Sequence, residues 1–212
     1  MSTSLVLGST GLVGNTLIKF LCDQNENVIA LTRRSIPNLP RNANELIVDF
    51  DDFLIDGSLP KCDHVFICLG TTIKVAGSQE NFRKVDIDYC LSVAQRAKKS
   101  GANTLSLISS IGAKSSSKNF YLKTKGQLEE AIQELGFPTI NIFRPSFLVG
   151  QRAEKRSLER IAIILASFMN FFLLGSARRY RSIKVELLAK TMISSKNTKP
   201  GVNYFFFDDF LK

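Results

Sequence analysis

A glycine-rich turn follows the first apolar run of the chain and leads directly into an amphipathic segment. The turn reads Gly8-Ser9-Thr10-Gly11-Leu12-Val13-Gly14 and lies between an apolar run at 5–7 and helically spaced apolar residues at 13–22. In such a turn the backbone N–H groups of the helix start face an anion, and the helix dipole favours the negative charge. The glycines permit a tight turn and a close approach of the backbone to a pyrophosphate. The sequence therefore predicts a dinucleotide-binding turn, with a purely structural turn as the alternative.

Short apolar strand patterns alternate with helical patterns along most of the chain. The predicted strands are 5–7, 28–32, 46–48, 64–69, 104–108, 139–143 and one near 204–207, and the predicted helices are 13–22, 79–100, 121–135 and two near 157–173 and 184–194. This alternation predicts an α/β fold of Rossmann type, doubly wound, with a mostly parallel sheet and helices on both faces. We expect a single domain over residues 1–212, with a core at 4–150 and a small C-terminal, substrate-side region at 151–212.

Two arginines follow the second predicted strand. Dinucleotide sites that take NAD often carry an acidic residue here for the ribose 2′-hydroxyl, whereas arginine accommodates the 2′-phosphate of NADP. This chain has Arg33 and Arg34 and no acid at that point. Because guanidinium groups bind phosphate in a bidentate manner, the sequence favours NADP(H) over NAD(H). Two solvated loop arginines are the alternative.

A tyrosine and a lysine are four residues apart on the predicted helix 121–135. Tyr121 and Lys125 therefore face the same way. An ammonium group near a phenol favours the phenolate, and such a tyrosine can act as a general acid or base toward an alcohol or carbonyl. Ser109 and Ser110 end the fifth predicted strand, at the edge where ligands of such sheets bind. The sequence thus predicts a catalytic set of Tyr121, Lys125 and one of the two serines.

Several segments together resemble the short-chain dehydrogenase/reductase superfamily in its extended or atypical branch. They are the glycine turn, Cys68-Leu69-Gly70-Thr71-Thr72, Val85-Asp86-Ile87-Asp88-Tyr89, Ser109-Ser110-Ile111-Gly112-Ala113, Tyr121-x-x-x-Lys125-Gly126 and Phe143-Arg144-Pro145. Within that superfamily the chain is similar to the subfamily of the HIV Tat-interacting oxidoreductase-like protein and its fungal mitochondrial relatives. The similarity spans residues 5 to 156.

The resemblance implies a role for residues at each strand end. It implies pyrophosphate contacts from Gly8, Ser9, Thr10, Gly11, Leu12 and Val13, 2′-phosphate contacts from Arg33 and Arg34, adenine contacts from Asp49 and Phe50, ribose and diphosphate contacts from Leu69, Gly70 and Thr71, and nicotinamide-side contacts from Tyr121, Lys125 and Leu148, with Arg156 at the cofactor or a substrate anion. Family geometry favours Ser110 over Ser109. One departure is that many superfamily members carry Asn for a proton relay where this chain reads Val85-Asp86-Ile87.

Three functions are compatible with these residues. The first is an NADPH-dependent oxidoreductase that transfers hydride to a small carbonyl, enone or quinone, with Tyr121 as general acid. The second is an NADP(H)-binding regulatory or scaffold module with little catalysis, favoured by the short region after Arg144. The third, a nucleotide-sugar epimerase or dehydratase, ranks lowest because such enzymes usually have a larger C-terminal domain.

Charge and cysteine content complete the expectations. The net charge of +9 is concentrated between residues 144 and 184, so the basic segment 152–184 could face an acidic substrate, a peripheral membrane surface or solvent. No recognition motif for nucleic acid accompanies it. The four cysteines lack disulfide or metal spacing, which predicts reduced thiols, no metal site and a cytoplasmic location. His64 begins a strand and is not expected to be catalytic. We expect a small-molecule substrate and a monomer or homodimer.

Overall fold

The computed structural model describes residues 2–150 and 175–212. Within this part of the chain, seven parallel strands form one sheet. They are β1 (Thr3–Leu7), β2 (Asn27–Thr32), β3 (Ala43–Ile47), β4 (His64–Ile67), β5 (Thr104–Ile108), β6 (Thr139–Phe143) and β9 (Gly201–Phe205). Their order across the sheet is β3-β2-β1-β4-β5-β6-β9. Two short strands, β7 (Leu148–Val149) and β8 (Ile183–Lys184), pair separately. The predicted parallel Rossmann-type sheet is confirmed.

Helices cover both faces of the sheet, as predicted. They are α1 (Leu12–Asp23), α2 (Phe50–Asp56), α3 (Ile73–Ala76), α4 (Gln79–Arg83), α5 (Cys90–Lys99), α6 (Phe120–Glu134) and α7 (Val185–Ser194). Successive residues of a strand point to opposite faces. Accordingly Leu5 and Leu7 join a core cluster with α5 and α6, whereas Val6 joins a second cluster with α1 and α7. The central strands β1, β4, β5 and β6 are therefore buried on both sides, which explains their largely apolar sequences. The edge strands β3 and β9 are partly exposed.

The C-terminal residues complete the sheet. Helix α7 packs against α1, and β9 pairs with β6 in parallel register from Thr139↔Gly201 to Phe143↔Phe205. The last strand was predicted near 204–207 but ends at Phe205, because a 3₁₀ turn at Phe207–Leu211 follows and Asp209 accepts a hydrogen bond from the Phe206 N–H. The helix predicted near 157–173 lies outside the described residues. None of the described helices is long and apolar enough to cross a bilayer.

Several local elements differ from the sequence prediction, and α3, β7 and β8 were not predicted at all. The stretch predicted as a single helix over 79–100 is divided by a π-helical turn, Lys84–Tyr89, between α4 and α5. Residues 50–56, for which no element was predicted, form the short helix α2. Its start is stabilised by the Asp49 carboxylate, which accepts hydrogen bonds from the N–H groups of Asp51 and Asp52. The acidic side chains of α2 itself lie on its surface.

A buried histidine lies at the opposite end of the sheet from the glycine turn. The Nε2 of His64 is 2.9 Å from the Ser106 hydroxyl, and the imidazole stacks on Phe66 at 3.9 Å. Burial, and secondarily the positive charge of Lys196, hold the pKa of His64 well below its usual value. His64 is therefore a neutral core residue, which agrees with the absence of a catalytic role expected from the sequence.

This histidine should make folding stability depend on pH. Below pH 6.5, the usual pKa of histidine, the unfolded chain binds a proton at His64 that the folded chain does not. The free energy of unfolding should therefore decrease as the pH is lowered below about 6.5, by up to about 1.4 kcal/mol per pH unit. Urea denaturation between pH 5 and 7 checks this, with His64→Gln as the matched variant. The variant should show a flatter pH dependence, and equal slopes in the two proteins would contradict the assignment.

Candidate functional site

Chemistry-bearing residues follow the carboxyl ends of six neighbouring strands. Because all these strands are parallel, their carboxyl ends meet at one edge of the sheet. The predicted site residues that follow them are Gly8 to Val13 after β1, Arg33 and Arg34 after β2, Asp49 and Phe50 after β3, Leu69 to Thr71 after β4, Ser109 and Ser110 after β5, and Leu148 after β6. The fold thus brings to one edge the predicted residues that lie within the described part of the chain. Arg156 lies outside the described residues.

The glycine turn leaves the start of α1 open. The N-cap residue is Gly11, so no side chain caps the first turn, and this turn contains no acidic residue. Gly8 has φ +85°, and a Cβ on it would lie 2.6 Å from the backbone of both Cys68 and Leu69. A Cβ on Gly14 would lie 2.3 Å from the carbonyl oxygen of Gly8. The backbone is therefore closely packed here and presents uncapped N–H groups, as an anion site requires.

The side chain of Ser9 does not take part in this open surface. Its buried hydroxyl donates to the carbonyl oxygen of Val6 at 2.6 Å and lies 3.0 Å from that of Leu31. These contacts join the turn to β1 and β2. Ser9 can consequently offer a ligand only its backbone, whereas Thr10 is exposed at the tip of the turn.

A second cluster lies beside the ends of β2 and β3. Arg33 and Arg34 are exposed, and Arg33 is close enough to Tyr89 for its charge to act on that phenol. The phenol of Tyr89 donates to the Asp51 carboxylate, and its ring stacks on Phe50 with a centroid distance of 5.2 Å. Burial, followed by the hydrogen bond to Asp51, raises the pKa of Tyr89 to about 12. The cluster combines exposed guanidinium groups with an aromatic surface.

A buried ion pair lies behind the glycine of the loop after β4. Lys125 Nζ is 2.8 Å from Asp86 Oδ1, and the two side chains are 6% and 0% exposed. The other oxygen of Asp86 accepts a hydrogen bond of 2.8 Å from the Thr71 N–H. A Cβ on Gly70 would lie 3.5 Å from both members of the pair. The pair thus joins α6 to the loop after β4, which is predicted to contact the ribose and diphosphate of the cofactor.

The π-helical turn carries Asp86 into this position. A π-helical turn is wider than an α-helical one and often marks a functional site. In the sequence, Asp86 stands out only as part of a departure from the family pattern, and no role is predicted for it. One sequence feature could have indicated its burial, because Asp86 is four residues from both Phe82 and Cys90 and lies on their apolar side of the helix.

The charges of this pair are mutually dependent. Burial, the largest single influence, would lower the pKa of Lys125. The charge and hydrogen bond of Asp86, together with Tyr121 and Cys90, outweigh burial, so the pKa of Lys125 lies above its usual value. Interaction with Tyr121 acts in the same direction. Lys125 is therefore a cation at any working pH, and its charge is compensated within the protein.

Tyr121 lies one helical turn before Lys125 and is 39% exposed. Its ring packs edge-on against Phe82 at 6.1 Å. The two serines differ in access. Ser109 is buried and its hydroxyl has no hydrogen-bond partner among the described residues, whereas Ser110 is half-buried and its hydroxyl makes only a 3.4 Å contact to a carbonyl. Ser110 is thus the serine that a substrate can reach more easily.

The rear of α6 is held by a second ion pair. The Arg144 guanidinium binds the buried Glu129 carboxylate through Nε at 3.0 Å and through a second, short contact. It also stacks over the ring of Tyr204 at 4.7 Å. Glu129 is four residues after Lys125, on the same helix face. This contact fixes α6, and with it Tyr121, against the end of β6 and against β9.

These observations fit a nicotinamide dinucleotide. The uncapped start of α1 suits a pyrophosphate, the exposed guanidinium groups and aromatic ring suit the adenosine end, and Tyr121 with Lys125 suits the reacting end. Of these, the uncapped helix start beside closely packed glycine backbone is the direct structural test, since a bulkier turn would block the approach of phosphate.

Sequence comparison agrees with the geometry. The family described as NAD(P)H-binding matches residues 8–160. The mitochondrial protein FMP52 of Meyerozyma guilliermondii is 34% identical over 209 residues, covering 94% of this chain and 89% of that protein. Protein HTATIP2 of Rattus norvegicus is 37% identical over 165 residues, covering 74% of this chain and 67% of that protein.

Solved structures show the same fold at low identity. The UDP-glucose 4-epimerase of Thermotoga maritima, solved with UDP-glucose, has a TM-score of 0.73 and 16% identity, covering 96% of this chain and 76% of its own. The human epimerase family protein SDR39U1, solved with NADPH, has a TM-score of 0.64 and 16% identity, and the match covers 96% of this chain and 74% of that protein's chain.

One expectation from the sequence is wrong. The cysteine pattern led to a cytoplasmic location, but relatives matched over much of the chain are named as mitochondrial proteins. Reduced cysteines do not distinguish these compartments, because the described thiols are free and mostly buried and report only on packing.

Proposed function

The chain belongs to the NAD(P)H-binding, short-chain dehydrogenase/reductase-like family, and from this premise we propose that it is an NADPH-dependent oxidoreductase acting on a small carbonyl, enone or quinone. The observation that supports this most is the position of Tyr121 and Lys125. They lie on the helix beside the same sheet edge as the open start of α1. A site for a dinucleotide and a candidate proton donor therefore occur together.

A cofactor held by the glycine turn and by Arg33 and Arg34 would supply a hydride to the electrophilic carbon of the substrate. Tyr121 donates a proton to the substrate oxygen, which becomes a hydroxyl, and regains one from solvent. Ser110 holds the substrate oxygen through its hydroxyl, with Ser109 as the alternative. Lys125 keeps α6 and the loop after β4 in register through Asp86.

The test is NADPH oxidation by the intact protein against a panel of aldehydes, ketones, enones and quinones. Turnover with at least one class supports the proposal. No turnover with any class, in a protein that binds NADPH, would contradict it and favour a binding function.

The preference for NADPH rests on Arg33 and Arg34, which are exposed beside the end of β2 with no acidic residue in the loop. We expect the double substitution Arg33→Ala/Arg34→Ala to weaken NADPH binding about 10- to 100-fold, since hydrogen bonds to a charged group contribute about 1.5–3 kcal/mol. NADH binding should change little because NADH lacks the 2′-phosphate. Titration of cofactor fluorescence with both nucleotides measures the ratio.

Arg41 provides a matched control for this double variant. It lies with Asn25 and Asn27 at the amino ends of the strands, opposite the candidate site. Arg41→Ala should therefore leave the affinities for NADPH and NADH unchanged. An equal loss of NADPH and NADH affinity in the double variant would show that the two arginines do not select the 2′-phosphate.

The names of the relatives also support a mitochondrial location for this chain. Imaging of a C-terminally tagged protein in cells, with a mitochondrial marker, tests it. A diffuse signal without the marker would count against this location.

A binding module with little turnover is the second candidate function. The observation that favours it is the compensated charge of Lys125, because a lysine paired at 2.8 Å activates a neighbouring phenol less than an unpaired one. Capture of partner proteins in the presence and absence of NADPH separates the two. A yield indifferent to NADPH would count against a cofactor-controlled module.

A further inference from the structure

The carboxylate of Asp86 is held from two sides and cannot turn away from Lys125 without losing a contact. Its Oδ1 faces the Lys125 ammonium at 2.8 Å, and its Oδ2 accepts from the Thr71 N–H at 2.8 Å. Both side chains are almost completely buried. The ion pair is therefore a fixed part of the site rather than a surface contact.

The pair is also adjacent to the candidate proton donor. Tyr121 lies one turn before Lys125 on the same face of α6, and the two interact strongly enough to affect the proton affinity of Lys125. An unpaired ammonium beside a phenol favours the phenolate. A carboxylate at ion-pair distance opposes this effect, because two opposite charges close together exert a weaker field on a neighbour than one charge does.

We propose that Asp86 is a positioning residue that compensates the charge of Lys125 and thereby keeps Tyr121 protonated, as a proton donor, to higher pH than an unpaired lysine would allow. This inference rests on the proposed function, since it matters for catalysis only if Tyr121 donates a proton. The inference also assigns a role to the π-helical turn, because that turn places Asp86 against Lys125.

Other titratable groups near the pair include the Cys90 and Cys68 thiols and the Asp88 carboxylate. Burial, opposed by the charge of Lys125, raises the pKa of the Cys90 thiol at the start of α5 to about 12. Burial also raises the pKa of Cys68, at the end of β4. Asp88, on the same turn as Asp86, acts on Cys90 and adds a negative charge. Both thiols stay neutral, so they add no charge beside Lys125 and Asp86.

The chain is well suited to a direct measurement, because it has no tryptophan and only four tyrosines. Tyrosinate absorbance is followed against pH for each protein and for the same protein carrying Tyr121→Phe, and the difference isolates Tyr121. Asp86→Asn removes the compensating charge. Its Tyr121 midpoint should lie about one to two pH units below that of the unsubstituted protein. An unchanged midpoint, with the fold intact by circular dichroism, would overturn the proposal.

The double variant Asp86→Asn/Lys125→Met keeps the proposal testable if Asp86→Asn does not fold. It removes both charges and leaves no unpaired buried ion, an exchange that proteins often tolerate. If Asp86 compensates Lys125, the Tyr121 midpoint should stay within about half a pH unit of the unsubstituted value. A rise of more than about one unit would show that Lys125 acts uncompensated, and the proposal would be wrong.

The titration is independent of turnover, so the two proposals can fail separately. If the protein reduces a substrate, the alkaline limb of the kcat/KM profile should move down in Asp86→Asn by the same amount as the midpoint, and Asp86→Glu should restore it. A merely structural role would lower kcat/KM at every pH without moving the limb. If no substrate is reduced but the midpoint shifts, the compensation is correct and the proposed function is wrong.

Discussion

Replacing Tyr121 by phenylalanine is expected to lower kcat/KM for NADPH-dependent reduction by at least about 100-fold, because a positioned general acid contributes about 10²–10⁴ in rate. The ring itself should stay in place. Its edge-on packing against Phe82 involves only the aromatic ring, which phenylalanine retains. The substitution therefore removes the hydroxyl without disturbing α6.

Binding and turnover should separate in this variant. The loss of one hydroxyl should change NADPH affinity by no more than about tenfold, since a single hydrogen bond contributes about 0.5–1.5 kcal/mol net. Stopped-flow or steady-state kinetics measure the rate, and cofactor fluorescence measures the affinity.

Tyr204→Phe is the matched control. Tyr204 has the same exposed fraction, 39%, but lies on the edge strand β9 under the guanidinium of Arg144. It should retain full turnover. If Tyr121→Phe keeps the rate of the unsubstituted protein, Tyr121 is not the proton donor, whatever the cofactor affinity.

The second large effect is expected at the glycine turn. In Gly8→Ala, a methyl group would lie 2.6 Å from the backbone of Cys68 and Leu69, in a residue with φ +85°. The left-handed conformation costs about 1–2 kcal/mol for alanine, and the overpacking adds about 1–3 kcal/mol. Since relief of the clash would separate β1 from the loop after β4, NADPH affinity should fall at least 100-fold, a loss of about 2.7 kcal/mol.

Gly77 allows the two causes to be measured separately. It has φ +79°, but a Cβ there meets nothing within 4 Å. Gly77→Ala should therefore show only the conformational cost of about 1–2 kcal/mol. Urea denaturation of the two variants gives the difference, and fluorescence titration gives the affinities. Equal destabilisation, with NADPH binding intact in Gly8→Ala, would show that close packing at Gly8 is unimportant.

Much of the fold could be predicted because its pattern is local. A parallel strand covered on both faces is an apolar run, and a helix beside it has apolar residues at a helical period, so β1, β4 and α6 were all recognisable. Helix α2 was missed because only Phe53 on it is buried, and the acidic residues around it look like a solvated loop. Its helical form depends on the N-cap that Asp49 provides. The helix propensities of the residues in this segment do not reveal that cap.

The candidate site divides in the same way. The glycine turn, Arg33, Arg34, Tyr121 and Lys125 were found from short motifs, since each motif is contiguous in the chain. Their roles stay predictions. Asp86 was not predicted as a functional residue, because the contacts that suggest a role are made with Lys125 and Thr71, which are distant from it in the sequence.

The sequence by itself therefore determined a doubly wound sheet with a dinucleotide turn and a Tyr-Lys helix, because each of these features depends on residues that are close together in the chain. Only the tertiary structure decided that the Lys125 charge is compensated. The π-helical turn places Asp86 against α6, and burial removes the water that would otherwise screen the pair. Apolar spacing does not predict such a turn, and the strength of a buried charge depends on what surrounds it in space.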